Sequence, residues 1–158
     1  MSVEERLAAV EERLRAAEDR LALLQLVATY GPAVDSGSAG QAAGLWAEDG
    51  VYDTFPVVLE GRDAIRDMVT GELHQGLIAA GAAHLLTLPH VELDGDRAVL
   101  TNHSQLVLRD GDGFRVWRTG VNRWECARTA DGWRVVSRVN RLLDGSPGGR
   151  AVAGAAFG

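Results

Sequence analysis

A seam of apolar and small residues at heptad spacing runs through the N-terminal segment and constrains the fold more than any other feature. Counting back from Asp35 in alternating steps of four and three meets Gly31, Ala28, Leu24, Leu21, Ala17, Leu14, Val10, Leu7 and Val3. The residues in between are rich in Ala, Leu, Glu and Arg, which are strong helix formers. The sequence therefore predicts one long helix from Val3 to about Tyr30.

The outer half of this helix needs a partner for its seam. Over residues 1–20, ten of the fifteen positions off the seam carry charge. We therefore expect this N-terminal helical extension to project from the domain and pack on another subunit or another helix. A solvated, fraying helix is the alternative. Pro32 removes a backbone donor within the helical pattern and predicts a kink or an early end between Ala28 and Gly31.

The overall composition excludes several classes of protein. A chain of 158 residues fits one domain with its own core. The net charge of -6 and the lack of a basic cluster argue against nucleic acid and against a membrane surface as partners. The charged start does not resemble a signal peptide and no apolar run could span a bilayer, so we expect a cytoplasmic protein. All 16 basic residues are arginine, which excludes lysine Schiff-base chemistry.

Two shorter helices are expected after the seam. Ser38 to Glu48 reads as a helix with Ser38 as its N-cap, and Gly50 to Phe55 has strand character. Arg62 to about Ala80 reads as a third helix. Its apolar face is formed by Ile65, Met68, Val69, Leu73 and Leu77.

From residue 82 the apolar period changes to that of strands. Asp-Gly turns separate four segments, His84–Leu93, Arg97–Arg109, Phe114–Arg128 and Trp133–Leu143. Three helices followed by a four-stranded meander predict an α+β fold, with the helices packed on a curved, mainly antiparallel sheet. The domain would span residues 21–144, and the Gly-rich tail 145–158 is expected to be flexible.

Asp35 is the first candidate for chemistry, because a seam that buries apolar groups should not end in a carboxylate. The small residues Ala28 and Gly31 leave room on its side of the helix. A carboxylate directed into a core must find a partner or take up a proton. The alternative is that Asp35 caps the helix end or accepts from the N–H groups of residues 36–38.

A histidine on the sheet is the natural partner for Asp35, since histidine is the commonest general base. His84 opens the first long strand, although strand alternation alone does not decide which face it occupies. His103 is the second candidate. A lone strand histidine is more often structural than catalytic. The four histidines match no zinc spacing and the Gly-rich stretches are hairpin turns, so neither a metal nor an organic cofactor is expected.

The order of short motifs along the chain resembles a known family. Tyr30-x4-Asp35 is followed by LWAEDGVYD at 45–53, GRDAI at 61–65, and then AHLL, DGDRA and DGWRV. This order is similar to that of the SnoaL-like branch of the nuclear transport factor 2-like superfamily, over roughly residues 21–144. The resemblance implies a cone-shaped α+β barrel around a deep pocket, and a homo-oligomer, either dimer or trimer.

Within that superfamily the chain looks most like the group of bile acid 7α-dehydratase, scytalone dehydratase and hexachlorocyclohexane dehydrochlorinase. The resemblance places the catalytic aspartate and histidine of this group on Asp35 and His84, and a tyrosine on Tyr30. An arginine on the last strand falls on Arg138 or Arg141, of which we select Arg141. In this scheme ionised Asp35 orients His84, which removes a carbon-bound proton without a cofactor, and Tyr30 donates to the developing oxyanion.

The resulting hypothesis is a cofactor-independent, dehydratase-like lyase that acts on a hydrophobic, polycyclic or similar small molecule. An isomerase or a cyclase with the same base, and a non-catalytic binding module, are the alternatives. The residues expected to contact the substrate are apolar or aromatic, with one histidine: Trp46, Phe55, Met68, Leu86, His103, Trp117 and Trp124.

Overall fold

The computed structural model describes residues 1–157 and consists of five helices and seven strands within that range. The helices are α1 (Val3–Asp35), α2 (Ala39–Gly44), α3 (Arg62–Thr70), α4 (Glu72–Ala80) and α5 (Pro147–Gly154). The strands are β1 (Trp46–Asp53), β2 (Val58–Glu60), β3 (Ala82–Leu86), β4 (His90–Asp94), β5 (Arg97–Asp110), β6 (Gly113–Thr129) and β7 (Gly132–Leu142).

All seven strands belong to one sheet with the order β2-β1-β7-β6-β5-β3, and β4 also pairs with β5. Strand β5 is long enough to hold both β4 and β3 end to end along the same edge. Among the strands of residues 1–157, only the pairing of β1 with β7 is parallel. Irregular register in β5–β6 and β6–β7 bends the long strands. The predicted α+β class, with helices on a curved and mainly antiparallel sheet, is confirmed; the sheet is open.

Helix α1 has two halves with different surroundings. It begins with a capping box between Ser2 and Glu5. Residues 1–15 are all exposed, whereas the second half packs on the sheet through Leu23, Leu26, Val27, Tyr30, Ala33 and Val34. This buried stripe lies beside the heptad seam and meets it at Gly31, which is also buried. In the part of the chain that the structure describes, the seam residues of the first half are exposed.

The expected early end of the first helix was wrong. Helix α1 continues through Pro32 as far as Asp35. A proline within a helix costs about 3 kcal/mol. Burial of Ala33 and Val34 offsets that cost, while Pro32 itself is exposed. The extra turn carries Asp35 to the sheet.

The second and third helices are shorter than predicted. Helix α2 ends at Gly44, and strand β1 begins at Trp46, because this residue pairs with Val135 and is fully buried. Ser38 occupies the N-cap position, yet its hydroxyl bonds to Ser36 rather than to the helix. The expected third helix is divided into α3 and α4 by extended backbone at Gly71.

The structure differs from the sequence prediction in three further details. Leu73 is 84% exposed and does not belong to the buried face of its helix. The expected strand from His84 to Leu93 is two strands, because Pro89 cannot donate to a ladder. The C-terminal tail contains helix α5, which packs on β6 and β7; Gly158 lies outside the described residues.

Candidate functional site

The end of α1 and the start of β3 bring Asp35 and His84 together. Oδ1 of Asp35 lies 2.6 Å from Nδ1 of His84, and Oδ2 accepts from the His84 backbone N–H at 2.9 Å. An ionised carboxylate can only accept, so Nδ1 carries the proton and Nε2 is left as the basic nitrogen. Within residues 1–157 the structure records no hydrogen bond at Nε2 of His84.

Asp35 does not cap the end of its own helix, which was the alternative role expected from the sequence. The N–H groups of Ser36, Gly37 and Ser38 donate to the backbone carbonyls of Pro32, Val34 and Ala33. Both carboxylate oxygens of Asp35 are used for His84 instead. The pair is only partly exposed, at 17% for the side chain of His84 and 24% for that of Asp35.

His84 lines a narrow cavity between α1 and the sheet, together with Tyr30 and Arg138. The cavity volume is about 20 Å³, which is room for about one water molecule. The ring of Tyr30 stands edge-on to that of His84, with the centroids 6.3 Å apart. Burial raises the pKa of Tyr30, with a further contribution from Tyr52. Its phenol is therefore neutral near pH 7 and can donate a hydrogen bond.

Arg138 places a cation beside the dyad. The residue is only 2% exposed, and its guanidinium carbon lies 4.0–4.5 Å from the ring centroids of Tyr30, Tyr52 and Trp124. Nε and Nη2 donate to Oδ1 of Asn122 at 3.1 and 2.8 Å. Within residues 1–157, Nη1 has no hydrogen-bond partner and no carboxylate forms an ion pair with this arginine.

A row of asparagines on neighbouring strands supports Arg138. Asn102, Asn122 and Asn140 are in register across β5, β6 and β7. Asn140 donates to Oδ1 of Asn122 at 2.8 Å, and Asn102 accepts from Trp124 at 3.0 Å. These three side chains are buried. Of the three, Asn140 also lines the cavity.

Arg141, the arginine selected from the sequence, lies apart from Asp35 and His84. It forms an ion pair with Asp53 at 2.7 Å, and this contact lowers the pKa of Asp53. Arg138 and Arg141 are three residues apart on one strand and therefore point to opposite faces. The arginine that adjoins the dyad is Arg138.

The expected substrate-contacting residues lie in different places. Leu86 lines the cavity next to His84. Trp46 and Trp124 are fully buried, each with its ring centroid 5.8 Å from that of Tyr30. Met68 packs at the margin of the core. The remaining three are surface residues, since Phe55 is 73% and Trp117 49% exposed and His103 lines a shallow depression.

Two wider depressions adjoin the narrow cavity and share part of its lining. One of about 500 Å³ shares Leu86, Ser104 and Gln105 with it. Another of about 280 Å³ shares Arg118, Asn140 and Leu142, and also contains Phe55 and Arg141. The narrow cavity and the two depressions are therefore neighbours with common lining residues.

The sequence reading missed His74, a buried residue on α4. Its Nε2 lies 2.7 Å from the carbonyl oxygen of Val34 and its ring centroid is 5.8 Å from that of His84. Nε2 must donate to that carbonyl, so His74 holds the last turn of α1 rather than acting as a base. His74 lies four residues before Ile78 on a short helix, and this spacing does not predict a hydrogen bond to α1. Within residues 1–157, no group of three or more His, Cys, Asp and Glu side chains is arranged to hold a metal ion.

Comparison with known proteins identifies the class that this fold and site define. The model of the SnoaL-like domain matches residues 15–139, so the chain belongs to the SnoaL-like family. A search of curated proteins gave no match. No helix within residues 1–157 is both long and apolar enough to cross a membrane.

Solved structures show the same fold. A nuclear transport factor 2-like protein with a cystatin-like fold from Novosphingobium aromaticivorans is 41% identical, with a TM-score of 0.91 over 92% of this chain and 96% of the other. A candidate aromatic ring hydroxylase from the same organism is 27% identical, with a TM-score of 0.67 over 80% and 90% of the two chains. Aln2 from a Streptomyces species, at 19% identity and a TM-score of 0.68 over 77% and 88%, shares the fold.

Proposed function

We propose that this protein is a cofactor-independent enzyme in which His84 acts as a general base, most simply a dehydratase-like lyase for a hydrophobic small molecule. The observation that carries the proposal is the double contact of Asp35 with His84. It holds the ring in one orientation and stabilises the cation that forms when Nε2 takes a proton. General base catalysis of this kind contributes about 10²–10⁴-fold.

The surroundings of His84 suit removal of a proton next to a carbonyl. Abstraction of such a proton leaves negative charge on the carbonyl oxygen. The uncompensated cation of Arg138 and the neutral phenol of Tyr30 line the same cavity and could stabilise this charge. Loss of a β-hydroxyl as water, with the proton that His84 has taken up, would complete an elimination, and return of that proton at another carbon would complete an isomerisation. A cyclase would use the same carbanion to form a ring.

The small volume beside His84 favours entry of only the reacting part of a substrate. The bulk of a hydrophobic molecule would lie in the wider depressions that share Leu86 and Leu142 with the cavity. A binding module that lacks chemistry is the competing proposal, because the cavity at rest holds only about one water.

The test uses a panel of hydrophobic β-hydroxy ketones and thioesters incubated with the protein in heavy water. Mass spectrometry would detect both dehydration and exchange of the acidic carbon-bound proton. We expect at least one of the two with the wild type, and a loss of about 10²-fold or more in His84→Asn, whose amide can keep the contact to Asp35. His90→Asn, at an exposed site on β4 away from the depressions that would hold the substrate, is the matched control. Full activity in His84→Asn would refute the mechanism, and binding without exchange or dehydration would favour the binding module.

A further inference from the structure

The exposed half of α1 carries a complete heptad pattern. With Leu7, Leu14 and Leu21 at position a, position d is occupied by Val3, Val10, Ala17 and Leu24. The large seam residues from Val3 to Leu21 are each more than half exposed: Val3 74%, Leu7 56%, Val10 57%, Leu14 57% and Leu21 66%. Residues 1–157 therefore leave this apolar stripe exposed.

The charges that flank the stripe are sorted by position. The g positions hold Arg6, Arg13 and Arg20, and the e positions hold Glu4, Glu11 and Glu18. Within residues 1–157, the salt bridge recorded in the first half of α1 joins Arg15 and Glu12, which face away from the stripe. Apart from Arg20, which donates to the Val91 carbonyl, the flanking arginines have no recorded partner in the described chain.

We propose that this stripe is the interface of a parallel coiled coil between copies of this same chain. In a parallel coil a g residue of one helix lies next to the e residue five positions later on its neighbour. Arg6 then faces Glu11 of the second copy, and Arg13 faces Glu18. In an antiparallel coil g would face g and e would face e, so arginine would meet arginine and glutamate would meet glutamate. The charges that flank the stripe are therefore complementary between two copies in the parallel orientation and repel each other in the antiparallel one.

The position of the domain permits this assembly. Asp19, at an f position, is held by Arg128 and Trp133, and Leu23, at a c position, is fully buried. The domain therefore lies on the side of α1 opposite the a and d residues, and each copy carries its own domain outward. The free helix before Asp19 projects by about 24 Å. Leucine at a with valine at d favours assemblies of three or four helices over two. The surface and the parallel orientation are the same for either number of helices. This assembly does not depend on the proposed enzymatic function.

A disulfide test distinguishes the two orientations. Val3→Cys places a thiol at a d position near the end of the stripe, where parallel copies bring equivalent positions together. In an antiparallel coil centred on the stripe, position 3 would lie opposite position 24, and the two thiols would be about 30 Å apart. A disulfide needs Cα atoms within about 7 Å. Native Cys126 is buried, and burial raises the pKa of its thiol to about 12, so it stays unreactive.

We expect Val3→Cys to form a covalent dimer on mild oxidation, while Glu12→Cys, at an f position, does not. Absence of the covalent dimer in Val3→Cys, or equal yields from the two variants, would overturn the parallel arrangement. Both substitutions are at exposed positions, and circular dichroism would verify that the helix content is unchanged.

A charge-reversal series tests the surface itself by measuring mass with light scattering on the full chain. The wild type should be an oligomer, and Arg6→Glu with Arg13→Glu should raise its dissociation constant by at least about tenfold, because like charges then meet. Adding Glu11→Arg and Glu18→Arg should restore association. A monomeric wild type, or an oligomer unchanged by the double reversal, would contradict the proposal.

Discussion

Gly31 lies directly against the backbone of His84. A Cβ atom built on Gly31 would be 2.5 Å from the carbonyl oxygen of His84, closer than side-chain carbons approach backbone oxygens. The helix can therefore approach β3 only because residue 31 has no side chain. One helical turn later the same close approach allows both oxygens of Asp35 to reach His84.

Gly31→Ala should separate α1 from β3 and weaken the contact between Asp35 and His84. The obstructing atom belongs to the backbone, so it cannot move aside as a flexible side chain would. We expect a loss of about 1–3 kcal/mol in the free energy of unfolding, measured by urea denaturation, and a loss of activity. Gly40→Ala is the matched control, because a Cβ there meets no atom within 4 Å. Equal stability of the two variants would argue against close packing at Gly31.

Arg138→Met should affect the fold much less than it affects function. The variant removes a buried cation that has no carboxylate partner among the described residues, and Oδ1 of Asn122 would still accept from Asn140. Replacing buried charge with an apolar group of similar size is often neutral for stability. We expect the free energy of unfolding to change by less than about 2 kcal/mol, while dehydration or proton exchange decreases by about 10²-fold or more.

An intact rate in Arg138→Met would remove the arginine from the proposed mechanism. Arg134→Met provides the comparison, because Arg134 lies on the same strand but donates to the Trp133 carbonyl, away from the residues that line the cavity and the two depressions. Its substitution should leave the chemical step largely unchanged.

Asp19 should make folding stability depend on pH in the acid range. Its carboxylate receives two hydrogen bonds from Arg128, at 2.8 and 2.6 Å, and one from Trp133 at 3.0 Å. The Arg128 hydrogen bonds hold the pKa of Asp19 below its ordinary value. A lowered folded pKa means that the stabilisation is complete above the unfolded value of about 3.9 and is lost as the pH falls through the folded pKa.

Asp19→Asn tests this contribution. At pH 7 we expect the variant to be less stable than the wild type by about 1–2 kcal/mol, allowing for the partial exposure of Arg128. The difference should shrink as the pH falls below about 4, and urea denaturation at several pH values measures it. A difference that stays constant between pH 7 and pH 3 would contradict the assignment.

Much of the fold could be predicted from local sequence signals. The Asp-Gly turns located three strand boundaries, and the apolar period identified α3 through Ile65 and Val69. The insertion of β1 beside β7 could not be predicted, because parallel pairing joins segments that are distant in sequence. The passage of α1 through Pro32 depends on burial of Ala33 and Val34, which local propensity does not contain.

The candidate site was predicted in part. Asp35 and His84 were expected to meet, and they do so across 49 residues of sequence. The choice between Arg138 and Arg141 depended on strand register, since a shift of one residue exchanges the two faces of a strand. The asparagine row could be found only after the strands were aligned. Asn102, Asn122 and Asn140 lie on three different strands, and their separations in sequence do not predict that they are neighbours.

The tautomer of His84 is the most direct test of the central claim, and its measurement needs no substrate. Nitrogen-15 NMR of the histidine side chains distinguishes a protonated ring nitrogen from one that carries a lone pair. For neutral His84 in the wild type we predict a proton on Nδ1, facing Asp35, and a lone pair on Nε2, facing the cavity. A proton on Nε2 of neutral His84, or a tautomer that is unchanged in Asp35→Asn, would contradict the account.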